Sequence, residues 1–150
     1  MKMTAYTNFA LRTLMYCALK GQNLSRVQDI ADAYGISKAH LVKAAHQLGQ
    51  LGYLETVRGR QGGIRLARPA AQINIGEVVR HTEGDMDLVE CFNPLTNTCP
   101  LMTVCRLNRA FVKARDAFLA VLDALTLADI TGNDGQLRTL LNVSEPGRHA

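Results

Sequence analysis

The chain has 150 residues, of which 47% are hydrophobic and 20% charged, with a formal net charge of +4, a make-up that suits one soluble domain with a core of its own. No stretch approaches the roughly 18 apolar residues of a membrane span, and the first apolar run, 9–19, is broken by Arg12 and followed by no cleavage site, so no signal peptide is expected. A cytoplasmic protein without a membrane partner is expected, where thiols stay reduced and structural disulfides are disfavoured.

Charge is divided along the chain: residues 1–82 hold 11 Lys/Arg against 4 Asp/Glu, and residues 83–150 hold 6 against 9. A polyanion partner is therefore expected for the first part only. Thr4 can cap a helix to about Lys20, with Tyr6, Phe9, Ala10, Leu14, Cys17 and Ala18 near one face. Cys17, set inside that apolar helix, reads as a small buried hydrophobe. Ser25 is placed to cap a second helix ending at Tyr34, Gly35 supplies a turn, and Ser37 caps a third helix to about Leu51. The run I-A-D-A-Y-G-I-S-K-A-H-L-V-K-A-A-H-Q-L is a helix-turn-helix pattern: Ala31 is small where two helices must cross, and Gly35 can take a positive φ. Leu41, Ala44, Ala45 and Leu48 would face inward, leaving Lys38, Ala39, His40, Lys43 and Gln47 outside. Ser37, Lys38, His40 and Lys43 are the candidates for the major groove.

Tyr53–Val57 and Ile64–Ala67 read as paired strands around R-G-R-Q-G-G, residues 58–63. A hairpin directly after a helix-turn-helix is the wing of a winged helix. Arg58, Arg60 and Gln61 at its tip would reach DNA backbone or minor groove. Pro69–Ala71 reads as a linker, Ile75–Thr82 as a short helix with Ile75, Val78 and Val79 inward, and 84–102 as a loop.

From about Thr103 to Leu125 the positions Val104, Leu107, Phe111, Ala114, Phe118, Val121 and Leu125 step by threes and fours, the seam of a helix that pairs with a second copy. Arg109, Lys113, Arg115, Asp116 and Asp123 would lie on the other face. Leu127–Ile130 adds an apolar patch, 132–135 a turn, and 144–150 a disordered end. The fold class expected is mainly α with one small β-hairpin. A winged DNA-binding domain spans 1–82, a cysteine loop 83–106, a dimerisation helix 103–131 and a tail 132–150.

Three of the four cysteines, Cys91, Cys99 and Cys105, follow the spacing C-x7-C-x5-C. A loop can wrap a cluster, a helix N-terminus favours thiolate at Cys105, and three thiolates fill three of the four protein positions of a [2Fe–2S] or [4Fe–4S] cluster. Zinc held with His81, or a metal-free thiol–disulfide switch, fits the same residues. No hydrolase triad, phosphate loop or paired carboxylates point to an enzyme, and a small electron carrier would leave the basic winged helix without a purpose.

The order winged helix, R-G-R-Q-G-G wing, three-cysteine loop and long helix resembles the iron–sulfur winged-helix transcriptional regulators, the family that includes IscR and NsrR. S-K-A-H-L-V-K at 37–43, L-V-E-C-F at 88–92, C-R-L at 105–107 and L-A-D-I at 127–130 are most similar to the nitric-oxide-sensing NsrR branch. T-N-F-A-L-R at 7–12 and M-Y-C-A at 15–18 also resemble the iron-regulating RirA branch. The resemblance implies a homodimeric repressor that holds a palindromic operator while a cluster, [4Fe–4S] in preference to [2Fe–2S], is intact. It implies release when nitric oxide destroys the cluster or, in the alternative, when iron runs short. Two positions depart from the family pattern. Asn8 stands where the NsrR branch has an Asp offered to the partner subunit's cluster, and Asn108 where the IscR branch has its His ligand. The fourth ligand is thus left open, with the neighbourhood of Asn8 of the partner subunit as the expected place.

Overall fold

The computed structural model describes residues 2–144; of the end expected to be disordered, all but Ser144 lies outside the described residues. Seven α-helices and one hairpin follow in the order α1 Ala5–Lys20, α2 Val27–Tyr34, α3 Lys38–Gln50, β1 Leu54–Val57, β2 Gly63–Leu66, α4 Ile75–Glu83, α5 Arg106–Asp123, α6 Leu127–Ile130 and α7 Asp134–Leu141, with 3-10 turns at Ala70–Gln72 and Glu90–Phe92. The fold is the expected one, mainly α with a two-stranded antiparallel wing.

Thr4 caps α1 by accepting from the Thr7 amide at 3.2 Å. The inward face of α1 is more polar than the apolar pattern suggests. Thr7 and Thr13 are buried with Ala10, Leu14, Tyr16, Cys17 and Leu19, whereas Tyr6, Phe9 and Ala18 are only half-buried. A threonine is tolerated there because its hydroxyl can donate one turn back, as Thr13 does to the Phe9 carbonyl at 2.7 Å.

Ser25 does not cap α2. It is buried, and its backbone exchanges two hydrogen bonds with Ile64, at 2.8 and 2.9 Å, an isolated antiparallel bridge beside the wing; Arg26 takes the cap position instead. The approach needs glycine at 63, since a Cβ there would sit 2.6 Å from the Ser25 carbonyl oxygen. Gly35 ends α2 in the left-handed region, φ 62° and ψ 37°. Ser37 stands at the start of α3 without a side-chain capping bond. Ala31 and the stripe Leu41, Ala44, Ala45, Leu48 are buried where the helices meet. The strands pair with Leu54 opposite Leu66 and Glu55 opposite Arg65, and that last pair forms a salt bridge across the wing. Fully buried Tyr53 donates its hydroxyl to, or accepts at it from, His81 Nδ1 at 2.8 Å.

Residues 70–72 form a turn of 3-10 helix where only a linker was expected. Asn74 then caps α4 by accepting from the Glu77 amide at 3.0 Å and donates its own amide to the Asp123 carbonyl at 2.7 Å. Ile75 N–H reaches the Leu125 carbonyl at 2.9 Å, and Leu127 N–H the Ile73 carbonyl at 2.8 Å. Arg80 holds both oxygens of Asp123, at 2.7 and 2.5 Å, and that pairing keeps the Asp123 carboxyl below its ordinary range. Asp123 is therefore a docking residue rather than part of an outward face. The Asp123 carboxylate and backbone nitrogen occupy the space a Cβ on Gly76 would need.

The long helix is shorter than its apolar pattern. It begins at Arg106 because Cys105 takes the N-cap, so Val104 precedes it and Leu125 follows it. Leu119, Leu122 and Leu125 pack on the core. The 127–130 patch is the one-turn helix α6, fixed by a reciprocal box between Thr126 and Asp129. Where a turn was expected at 132–135, α7 starts at Asp134 and ends at left-handed Asn142, laying Leu137 and Leu141 on the same core and burying Val143.

Candidate DNA-reading face and cysteine centre

Helix α3 carries no acidic residue. Ser37, Lys38, His40 and Lys43 are all exposed, and so are Val42, His46 and Gln47. Val42, with 49% of its surface open, was not expected to matter. An apolar side chain among outward polar ones has the chemistry to meet a thymine methyl. His40 is less free than its exposure suggests, because its ring stacks on Phe9 with centroids 5.5 Å apart and planes inclined 15°. It therefore also ties α3 to α1.

The wing tip is set by glycine. Gly59 has φ 115°, and a Cβ on Gly62 would overlap the Val57 carbonyl oxygen. Around that turn Arg58, Arg60 and Gln61 are exposed. Lower in the hairpin the arginines are occupied: Arg65 pairs with Glu55, while Arg68 lies 4.7 Å from the Tyr53 ring centre and 3.6 Å from Glu77. Among the described residues the tip arginines have no such ion pair. Two cations are thus left at the end of a hairpin that projects beside α3.

The cysteine loop is ordered by side chains that the spacing alone does not reveal. Glu90 Oε1 accepts from both the amide and the hydroxyl of Thr98, each at 2.8 Å, and these bonds hold its carboxyl below the usual range. Residues 90 and 98 are the neighbours of Cys91 and Cys99, so this staple closes the first cysteine interval. Asn97 Oδ1 accepts from the Cys99 amide at 3.0 Å, and Phe92 lies under the Arg115 guanidinium at 4.9 Å, anchoring the loop to α5. Asn108, in the first turn of α5, faces two cysteines at once. Its backbone N–H points to Cys105 Sγ at 3.4 Å, and its side-chain amide donates to Cys91 Sγ at 3.0 Å.

Cys91, Cys99 and Cys105 are free thiols of intermediate exposure, whereas Cys17 is fully buried. Burial pushes the Cys17 thiol up to about 12, partly offset by the Ser25 hydroxyl, which fits an inert packing role. Among the described residues no three His, Cys, Asp or Glu side chains converge on a metal-sized space, and His81 is held by Tyr53 instead. The donor set nevertheless suits a soft iron–sulfur centre. Three partly open thiols share one stapled loop, and amide donors are aimed at two of them. Asn8 is exposed on α1, its amide donating to the Thr4 carbonyl at 3.2 Å.

The α5 seam is open in the single chain. Leu107 and Val121 are 63% and 64% exposed and no α5 residue is buried. Phe111, Ala114 and Phe118 line a groove with Met3, Met86 and Leu88. Val104, 71% exposed, extends the apolar surface from outside the helix. Leu125 does not belong to it, because it is half-buried against its own core. None of the described helices is long and apolar enough to cross a membrane.

Residues 3–133 match the Rrf2 family, described as an iron-dependent transcriptional regulator. The chain is 52% identical over 143 residues to the HTH-type transcriptional regulator NsrR of Bacillus licheniformis, a match spanning 95% of this chain and all of that protein. Its identity to the NsrR regulator of Bacillus subtilis is 48% over 146 residues, 97% of this chain and all of the relative. Among solved structures the fold is similar to T. potens IscR, with a TM-score of 0.73 at 23% identity, covering 92% of this chain and 91% of the other.

Proposed function

The chain belongs to the Rrf2 family of transcriptional regulators, not to an enzyme family, and from that premise we propose that it is a homodimeric cytoplasmic repressor whose operator binding depends on an iron–sulfur cluster. Cys91, Cys99 and Cys105 would hold the cluster, [4Fe–4S] rather than [2Fe–2S]. The observation that carries this reading is the cysteine loop itself: its three thiols stay half-exposed while Glu90 and Asn108 spend their polar atoms on ordering it. When bound, the cluster supplies iron open to nitric oxide, and its loss is the signal.

The protein's own residues do the rest. Ser37, Lys38, His40 and Lys43 meet the major groove, and Arg58, Arg60 and Gln61 hold backbone or minor groove. Leu107, Phe111, Ala114, Phe118 and Val121 pair two copies, so that two α3 helices enter successive major grooves about 34–36 Å apart. The ordered loop, packed on α5 and facing α1 of the partner subunit near its Asn8, sets the angle between the two winged halves. Once the loop is released that spacing drifts, and DNA affinity falls without the fold melting.

Iron availability is the second reading of the signal. It is favoured by the neutral amide of Asn8, a poorer iron ligand than a carboxylate, and by the iron dependence in the family's description. Anaerobic purification followed by an iron and sulfide count per chain tests the cluster. About four of each are expected, about two would make the centre [2Fe–2S], and none alongside full operator affinity would refute cluster dependence.

A further inference from the structure

We infer that Asn108 is a positioning residue for the cysteine centre, acting as a double N–H donor to sulfur and not as a ligand; the inference rests on the cluster reading above. Asn108 is the third residue of α5, after the Cys105 cap. At that position a side chain commonly reaches back to the N-cap backbone. Here it turns away to Cys91, fourteen residues before the cap, and brings its donor nitrogen within 3.0 Å of the sulfur. The backbone N–H of the same residue is at 3.4 Å from Cys105 Sγ. One residue therefore sets the relation between the first and last cysteines of the motif, and does so through donors only.

A thiolate bound to iron keeps lone pairs that accept from N–H. Such donors spread the negative charge on sulfur, which stabilises the bound centre and makes its reduction easier. Cys99 has no donor of this kind on its sulfur among the described residues; its contacts to Asn97 are made by its backbone. Two of the three sulfurs are thus supported and one is bare.

Wild type, Asn108→Ala and Asn108→Asp, all as anaerobically purified holo dimers, distinguish a donor from a ligand. The decay of cluster absorbance under excess chelator and the reduction midpoint are measured for each. The alanine variant should lose the cluster about 10–100-fold faster. The aspartate variant should be at least as fast and have a lower midpoint, since a carboxylate beside sulfur repels the incoming electron. An acid in the first turn favours the helix, so apo Asn108→Asp should unfold no earlier than apo wild type, which separates faster loss from misfolding. An aspartate variant that holds the cluster as long as wild type or longer would make position 108 an oxygen ligand and overturn the inference. So would an alanine variant that decays at the wild-type rate. A wild type without iron or sulfide would refute the cluster reading itself, a failure distinct from either of those.

Discussion

The winged half and the α5 half of this molecule handle their apolar surface in opposite ways. From α1 to α4 the inward stripes are closed within one chain, and fully buried Tyr53 has its hydroxyl bonded to His81. Along α5 nothing is buried, Leu107 and Val121 stand open, and three thiols are partly exposed in the loop that leads into it. A region closed by its own side chains can act as a rigid carrier for a recognition helix. A region left open calls for something else to finish it, in the proposed function a second copy and an iron–sulfur cluster. The joint between the two lies at the end of α5, where Gly76 and Arg80 on α4 meet Asp123, Asn74 and Ile75 bond to the Asp123 and Leu125 carbonyls, and Leu119, Leu122 and Leu125 pack on the core.

The most severe way to break the contrast is Phe111→Asp. It would bury an unpaired charge in the seam, at a cost of about 3–5 kcal/mol, so sedimentation should report a monomer and operator affinity should fall by more than about 100-fold. The winged half should stay folded by circular dichroism. Next comes Gly76→Ala, whose methyl group would overlap Asp123 and force α5 off α4. Overpacking of this kind costs about 1–3 kcal/mol, read as a melting temperature lower by about 2–12 °C. At the wing, Arg58→Ala with Arg60→Ala removes two cations that form no ion pair among the described residues. The slope of log affinity against log salt should drop by about two, with no change in melting temperature. The smallest effect is expected at Tyr53→Phe, which loses one hydrogen bond in the closed half, about 1 kcal/mol. Equilibrium unfolding should register it, while the dimer and the absorbance of the cysteine centre stay as they are.

The closed half was largely legible in the sequence because its determinants are local. Thr4 caps within one turn, Gly35 ends a helix at its own φ, and the stripe Leu41, Ala44, Ala45, Leu48 follows helical period. Ser25 was misread because a capping residue and a buried bridge to Ile64, thirty-nine positions away, look alike locally. The open half was less legible for the same reason carried further. The seam spacing found α5 but overran both ends, since Cys105 and the Leu125 backbone are claimed by contacts that periodicity does not contain. The cysteines announce a centre by their spacing. Glu90 with Thr98, Arg115 over Phe92 and Asn108 between two sulfurs are ordinary residues whose role exists only once the loop is folded.

In the proposed function the open half, through Cys91, Cys99 and Cys105, governs whether the closed half can hold DNA. That dependence is tested most directly by following cluster absorbance and operator binding in one anaerobic sample as nitric oxide is added, and in a second as an iron chelator is added. The two signals should fall together while circular dichroism shows the fold retained. Loss to nitric oxide well before loss to chelator would identify nitric oxide as the signal, and loss to chelator alone would identify iron. Operator binding that persists unchanged after the absorbance is gone would show that the cysteine centre does not govern DNA binding.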